Sequence, residues 1–170
     1  KTAELMNQHH PMARFIVPLI TRETRDLFEK ALAKSTNDTL KMKLLFSHAH
    51  DAMEAADFVV VASGTATLEA ALLKKPMIIT YRMPTLSWWL LKPMHYLPFV
   101  GLPNVLANRF VVPELLQKEA TPEKLNSAMS DMLADVAHLK AIKQVFTDMH
   151  RTLKQNSAKK AAEIVISYLP

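Results

Sequence analysis

The sequence contains no cysteine and only 2 glycines among 170 residues. Without thiols there is no disulfide framework, thiolate zinc site, iron–sulfur cluster or cysteine nucleophile. This fits a reducing compartment. No uninterrupted apolar run reaches the ~18 residues of a membrane-spanning helix, and the opening residues do not read as a secretory signal. Internal repeats, low-complexity tracts and an obvious linker are also missing. At ordinary usage about twelve glycines would be expected. Gly64 and Gly101 are therefore expected where the backbone tolerates nothing else.

What is present is a chain that can bury a core. Hydrophobic residues make up 49% of it, which excludes intrinsic disorder. The length suits one domain, or about half of a two-domain enzyme. A net charge of +5 allows an anionic partner: a nucleotide, a lipid surface or nucleic acid. The Lys and Arg residues are scattered, and no RNA-binding or helix-turn-helix signature appears, so a nucleic-acid module is the weaker alternative.

Short apolar runs alternate with helical patterns. Ala13–Leu19, Lys43–Phe46, Asp57–Ala62 and Pro76–Tyr81 read as strands. Thr21 to Lys34, capped by Thr21, Asp51 to Ala56 and Thr65 to Leu73 read as helices. This alternation predicts a Rossmann-like, doubly wound parallel sheet. From Pro113 onward the pattern reads as helical, beginning with Glu114 to Glu119; further helices are opened by Thr121-Pro122-Glu123 and run to Tyr168. Lys1 to Met6 reads like the middle of a helix without a cap, so the natural chain is expected to continue upstream.

The sharpest feature is Phe58-Val59-Val60-Val61-Ala62-Ser63-Gly64-Thr65-Ala66-Thr67-Leu68-Glu69. A buried strand ends, Gly64 turns the backbone and a helix starts. The first amides of that helix have no internal partners and carry the positive end of its dipole. Ser63, Thr65 and Thr67 add hydroxyls, which makes an anion site without basic side chains. The alternative is an ordinary strand-to-helix connection with Ser63 as N-cap. Glu69 lies past the capping-box position, and its carboxylate suits a ribose diol; otherwise it is a solvated helix residue.

Other candidates are weaker. Arg82 follows the fourth strand and can pair with a phosphate, or lie on the surface. Tyr81 reads equally as core. Asn104, after Gly101 and Pro103, either holds a loop together or touches the sugar or diphosphate; the ligand-side role is the expectation. Arg109 is a further electrostatic candidate. Ser87 to Phe99, with Trp88, Trp89, Leu90, Leu91, Lys92, Met94 and Leu97, is too apolar and too broken by Pro for a regular surface helix. It is either core or a patch that meets acyl chains or a membrane interface. His48-Ala49-His50-Asp51 lacks a supporting ligand at a recognisable spacing, so no metal is expected. His9-His10 reads as a solvated loop and the methionines as core filler.

Several segments together resemble the lipid-A-disaccharide synthase family. They are Ala62-Ser63-Gly64-Thr65-Ala66-Thr67-Leu68-Glu69, Lys75-Pro76-Met77, Tyr81-Arg82-Met83 and Leu102-Pro103-Asn104-Val105-Leu106-Ala107, in that order and spacing. Phe15–Leu19 and Pro113–Gln117 agree, so the similarity covers nearly the whole chain. The resemblance implies a GT-B glycosyltransferase of lipid A biosynthesis in Gram-negative bacteria. Such an enzyme moves 2,3-diacylglucosamine from its UDP-linked form to 2,3-diacylglucosamine 1-phosphate and releases UDP. It needs neither metal nor cofactor for this.

The resemblance implies that residues 1–170 form the C-terminal, UDP-sugar-binding half, with Ser63, Gly64, Thr65, Glu69, Arg82 and Asn104 as UDP contacts. The N-terminal domain would hold the acceptor site and the general base, so no catalytic residue is assigned here and these 170 residues alone are expected to be inactive. The family's Gly-Ser-Arg loop would lie just before Lys1. The implied setting is cytoplasmic, peripheral on the inner membrane, without nucleic acid and with room for a homodimer. Another GT-B sugar transferase or an epimerase domain is the nearest alternative.

Overall fold

A computed structural model describes residues 1–34, 40–62, 64–91 and 97–168. The chain opens with helix α1 (Thr2–His9), then strand β1 (Phe15–Leu19), α2 (Arg22–Leu32), β2 (Met42–Phe46), α3 (Ala49–Ala55) and β3 (Val59–Val61). It continues with α4 (Thr65–Leu72), β4 (Met77–Tyr81), α5 (Thr85–Leu91), α6 (Leu102–Ala107) and β5 (Glu114–Leu116). A 3-10 turn (Gln117–Glu119) leads to α7 (Pro122–Ala134), α8 (Val136–Leu153) and α9 (Ser157–Ser167).

The predicted α/β class with parallel strands is what the structure shows. Pairing among the described residues falls into two sheets, β1-β2 and β3-β4-β5, and every pairing is parallel. The sequence signals for the helices act as expected. Thr21 and Thr24 form a reciprocal capping box at the start of α2. Pro122 occupies the first turn of α7 behind Thr121, whose hydroxyl accepts from the Lys124 amide at 3.3 Å. The helical pattern from Pro122 onward is divided at Asp135, which ends α7 and accepts from the His138 amide at 2.8 Å to cap α8.

Two expectations are corrected. Glu114 to Leu116 is a strand, in register with Ile79, Thr80 and Tyr81, and only Gln117 to Glu119 is helical. A three-residue stretch shows no period of its own, so pairing with β4 decides its form. The Trp-rich segment does begin as a surface helix: α5 starts behind Pro84, whose carbonyl accepts from the Trp88 amide at 3.0 Å. Pro84 precedes this helix, a place that proline accepts, while Pro98 lies beyond its end and Pro93 falls outside the described residues.

The core lies on the three-stranded sheet. Met77, Ile78 and Ile79 of the central strand β4 are all fully buried, as a parallel strand covered on both faces requires. Ala70 and Ala71 of α4, Val111 and Val112, Met129 and Met132 of α7, and Ile142 and Phe146 of α8 belong to the same cluster, with Met6, Met53 and Val61. Small alanines on α4 let α8 approach closely, and Phe146 fills the space with no exposed surface. By contrast, α2 and α9 bury no residue.

Truncating Phe146 to alanine should cost about 3–5 kcal/mol, the range for emptying a full aromatic site. Denaturant unfolding followed by circular dichroism measures this. A loss under about 1 kcal/mol would mean that α8 is not seated on the sheet as described.

Candidate functional site

The site is built where β3 stops. Ser63 lies outside the described residues. Gly64 follows at φ 120°, ψ −163°, a conformation that side-chain-bearing residues rarely adopt. Chain neighbours aside, no atom of the described residues lies within 4 Å of the position a Cβ would take there, so this side of the backbone is open. Gly64 is the N-cap of α4, and no described side chain caps that end. Gly64 and Thr65 are both exposed. The Thr67 amide is bonded to the Gly64 carbonyl, whereas the amides of Thr65 and Ala66 have no described partner and point past the carboxyl end of a parallel strand. This is where open α/β sheets receive ligands.

The adjacent helix start is closed. At α6 the amides of Val100 and Gly101 donate to Oε2 and Oε1 of Glu114, both at 2.9 Å. The next amide, Leu102, donates to the Thr67 hydroxyl at 3.2 Å. Three consecutive donors are thus satisfied by two side chains. Gly101 is required at this point: a Cβ would collide with Cδ1 of Ile79 and lie 3.2 Å from Oε1 of Glu114.

Asn104 completes the closed end. Its side chain donates to the Val112 carbonyl at 2.9 Å and to Glu114 at 2.8 Å. Its oxygen accepts from the amides of Val111 and Val112 at 2.8 and 3.1 Å. The residue is fully buried and both amide hydrogens are engaged. Of its two sequence readings, these bonds are those of the loop-holding one. Thr67, expected among the anion-facing hydroxyls, also turns inward. It has no exposed surface, and its hydroxyl donates to the Gly64 carbonyl at 2.7 Å.

The open end keeps other candidates together. Thr65 and Glu69 are four residues apart on α4, hence on one face, and both are exposed. No described group pairs with the Glu69 carboxylate. Arg82 is exposed at the carboxyl end of β4, the strand beside β3. Its loop is anchored one residue on, where the Met83 amide donates to Oε1 of Gln117 at 3.1 Å. Tyr81 is 39% exposed. Arg109 is exposed behind Asn108, which takes a left-handed conformation. His48 bonds Asp51 at 2.8 Å, both exposed at the start of α3.

The Trp-rich segment divides between the two expectations. Leu86, Trp89 and Leu90 of α5 are 79%, 74% and 66% exposed, whereas Phe99 is buried and meets Phe110 edge-on at 4.8 Å. Lys92 and Met94 lie outside the described residues. Sequence reasoning missed Glu114 and the inward role of Thr67. Glu114 binds backbone amides, which leave no side-chain motif to find.

Known proteins bear on this site. Residues 1–167 match the family model described as Lipid-A-disaccharide synthetase. The lipid-A-disaccharide synthase of Methylobacillus flagellatus is 58% identical over 169 residues, covering 99% of this chain and 45% of that protein. That of Azoarcus sp. is 54% identical, with 99% and 43% covered. That of Chromobacterium violaceum is 48% identical, with 97% and 43% covered. The chain thus spans less than half the length of these relatives.

If Asn104 holds the loop, Asn104→Ala should lower stability by about 3 kcal/mol or more, because it strands several buried donors and acceptors. Thermal unfolding without ligand is the check. An unchanged midpoint would return Asn104 to the ligand side.

Proposed function

Because the chain belongs to the lipid-A-disaccharide synthase family, we propose that it is the UDP-sugar-binding half of a glycosyltransferase. The reaction joins 2,3-diacylglucosamine, from its UDP-linked form, to 2,3-diacylglucosamine 1-phosphate and releases UDP. The observation that carries this reading is the open start of α4: uncapped amides behind an exposed glycine, with an exposed carboxylate one turn along the same face.

In this reading the diphosphate rests on the amides of Thr65 and Ala66, with Ser63 and Gly64 framing the turn. Gly64 lets it approach because no Cβ intrudes. Amides fixed in place stabilise the charge that grows on the diphosphate as the glycosidic bond breaks, without reorganising. Arg82 adds a cation from the next strand. Glu69 accepts from the ribose hydroxyls. Asn104 serves the site from behind, by holding the loop. The general base and the acceptor pocket belong to a preceding domain.

The strand order supports the half-molecule reading. Among the described residues β1 and β3 each have one paired neighbour. One further parallel strand between them would give the 3-2-1-4-5-6 order of a dinucleotide-type sheet. Gly64 would then follow strand four, at the point where the order reverses. Apolar side chains on α9, among them Ile164 and Ile166, are 60% and 65% exposed and would seat a neighbouring domain or a second copy.

The substrates are amphiphiles, so the enzyme works at a membrane surface. No described helix is long and apolar enough to cross a membrane. Leu86, Trp89 and Leu90 on α5 instead give an apolar face that rests on the cytoplasmic side of the inner membrane.

Two measurements test these assignments. Glu69→Ala should weaken UDP by about 1.5–3 kcal/mol in calorimetry, the range for hydrogen bonds to a charged group. With 2′-deoxy-UDP the difference between wild type and variant should shrink; equal weakening of both nucleotides would place Glu69 away from the ribose. Combining Leu86→Ser with Trp89→Ser should reduce retention on anionic vesicles while UDP affinity and thermal midpoint hold. A markedly lower midpoint would make α5 part of the core.

A further inference from the structure

We propose that Thr67 is a positioning residue that aims the diphosphate-binding peptide, an inference that rests on the UDP reading above. Among the described residues its hydroxyl is the one side-chain group that bonds at both helix starts. It accepts from the Leu102 amide at 3.2 Å and donates to the Gly64 carbonyl at 2.7 Å, with no solvent exposure. A hydroxyl has one hydrogen. The Leu102 N–H, aimed at the hydroxyl oxygen, leaves that hydrogen to point at Gly64.

The Gly64 carbonyl also accepts from the Thr67 amide at 3.1 Å, so it is held by two donors of one residue. In a trans peptide the carbonyl and the next N–H point in opposite directions. Fixing the Gly64 carbonyl inward therefore fixes the Thr65 N–H outward. This restraint matters because Gly64 is the most permissive residue type, and its peptide would otherwise be free to rotate. Glu114 anchors the far side, through the Val100 and Gly101 amides that precede Leu102. The result is a hydrogen-bonded path from β5 to the open end of α4. It touches only the diphosphate part of the ligand, since Glu69 reaches the ribose from the next turn.

The test compares two probes, UDP and uridine, on the intact protein. Thr67→Val keeps the shape and removes the hydroxyl. It should weaken UDP at least about tenfold while uridine changes less than about twofold, because the lost hydrogen bonds serve the diphosphate alone. Thr67→Ser restores the hydroxyl and should return UDP affinity to within about twofold of wild type. If Thr67→Val fails to fold, Leu102→Pro removes the amide donor at a helix position that accepts proline. It should likewise weaken UDP more than uridine. Equal losses for UDP and uridine, or none, would overturn the positioning role while leaving the UDP site intact. A wild-type protein that binds neither would overturn the UDP reading itself.

Discussion

Every helix begins with amide donors that have no partner of their own, and this constraint organises the site. Two such beginnings, α4 and α6, are joined through one buried hydroxyl. At α6 the donors are satisfied by Glu114 and Thr67, and a loop of the protein is folded down as a result. At α4 no described side chain plays that part. In the proposed reading, an anion from outside completes what the fold leaves open. The core makes the contrast possible: α4 is held from behind by Ala70 and Ala71 against the sheet and α8, so its exposed end does not need to close on itself.

The scarcity of glycine fits the same picture. Gly64 is set by its backbone angles, since no described residue beyond its chain neighbours would meet a Cβ there. Gly101 has ordinary angles and is set by space, because Ile79 and Glu114 occupy the place of a side chain. One serves the open end and the other the closed end. Proline works with them: Pro103 lies in the first turn of α6, where a missing amide hydrogen costs nothing.

Much of this was legible in the sequence. The continuous apolar strands, the turn at Gly64 and the caps at Thr21 and Thr121 are local signals with local causes, and the family resemblance agreed with the family match. The strand at Glu114–Leu116 was not legible, because its form depends on pairing with β4 and not on its own pattern. The inward turn of Thr67 was missed for a related reason, and the loop-holding role of Asn104 was read only as the alternative to a ligand contact. Hydroxyls and amides read alike in sequence whether they face a ligand or the backbone of a distant loop. Only packing decides, and here Thr67 meets Leu102 across 35 positions of sequence. The Trp-rich segment left core and exposed patch equally open, and packing divides it, with Trp89 exposed and Phe99 buried.

The central claim is that the open end of α4 receives the diphosphate. Amide chemical shifts in a nitrogen-15 spectrum, followed as UDP is added, test it directly. Hydrogen bonding to phosphate oxygens should move the Thr65 and Ala66 amide protons strongly downfield, while the Val100, Gly101 and Leu102 amides, already bonded to Glu114 and Thr67, stay near their places. Shifts confined to the α6 start, or none at Thr65 and Ala66 at saturating UDP, would contradict the account.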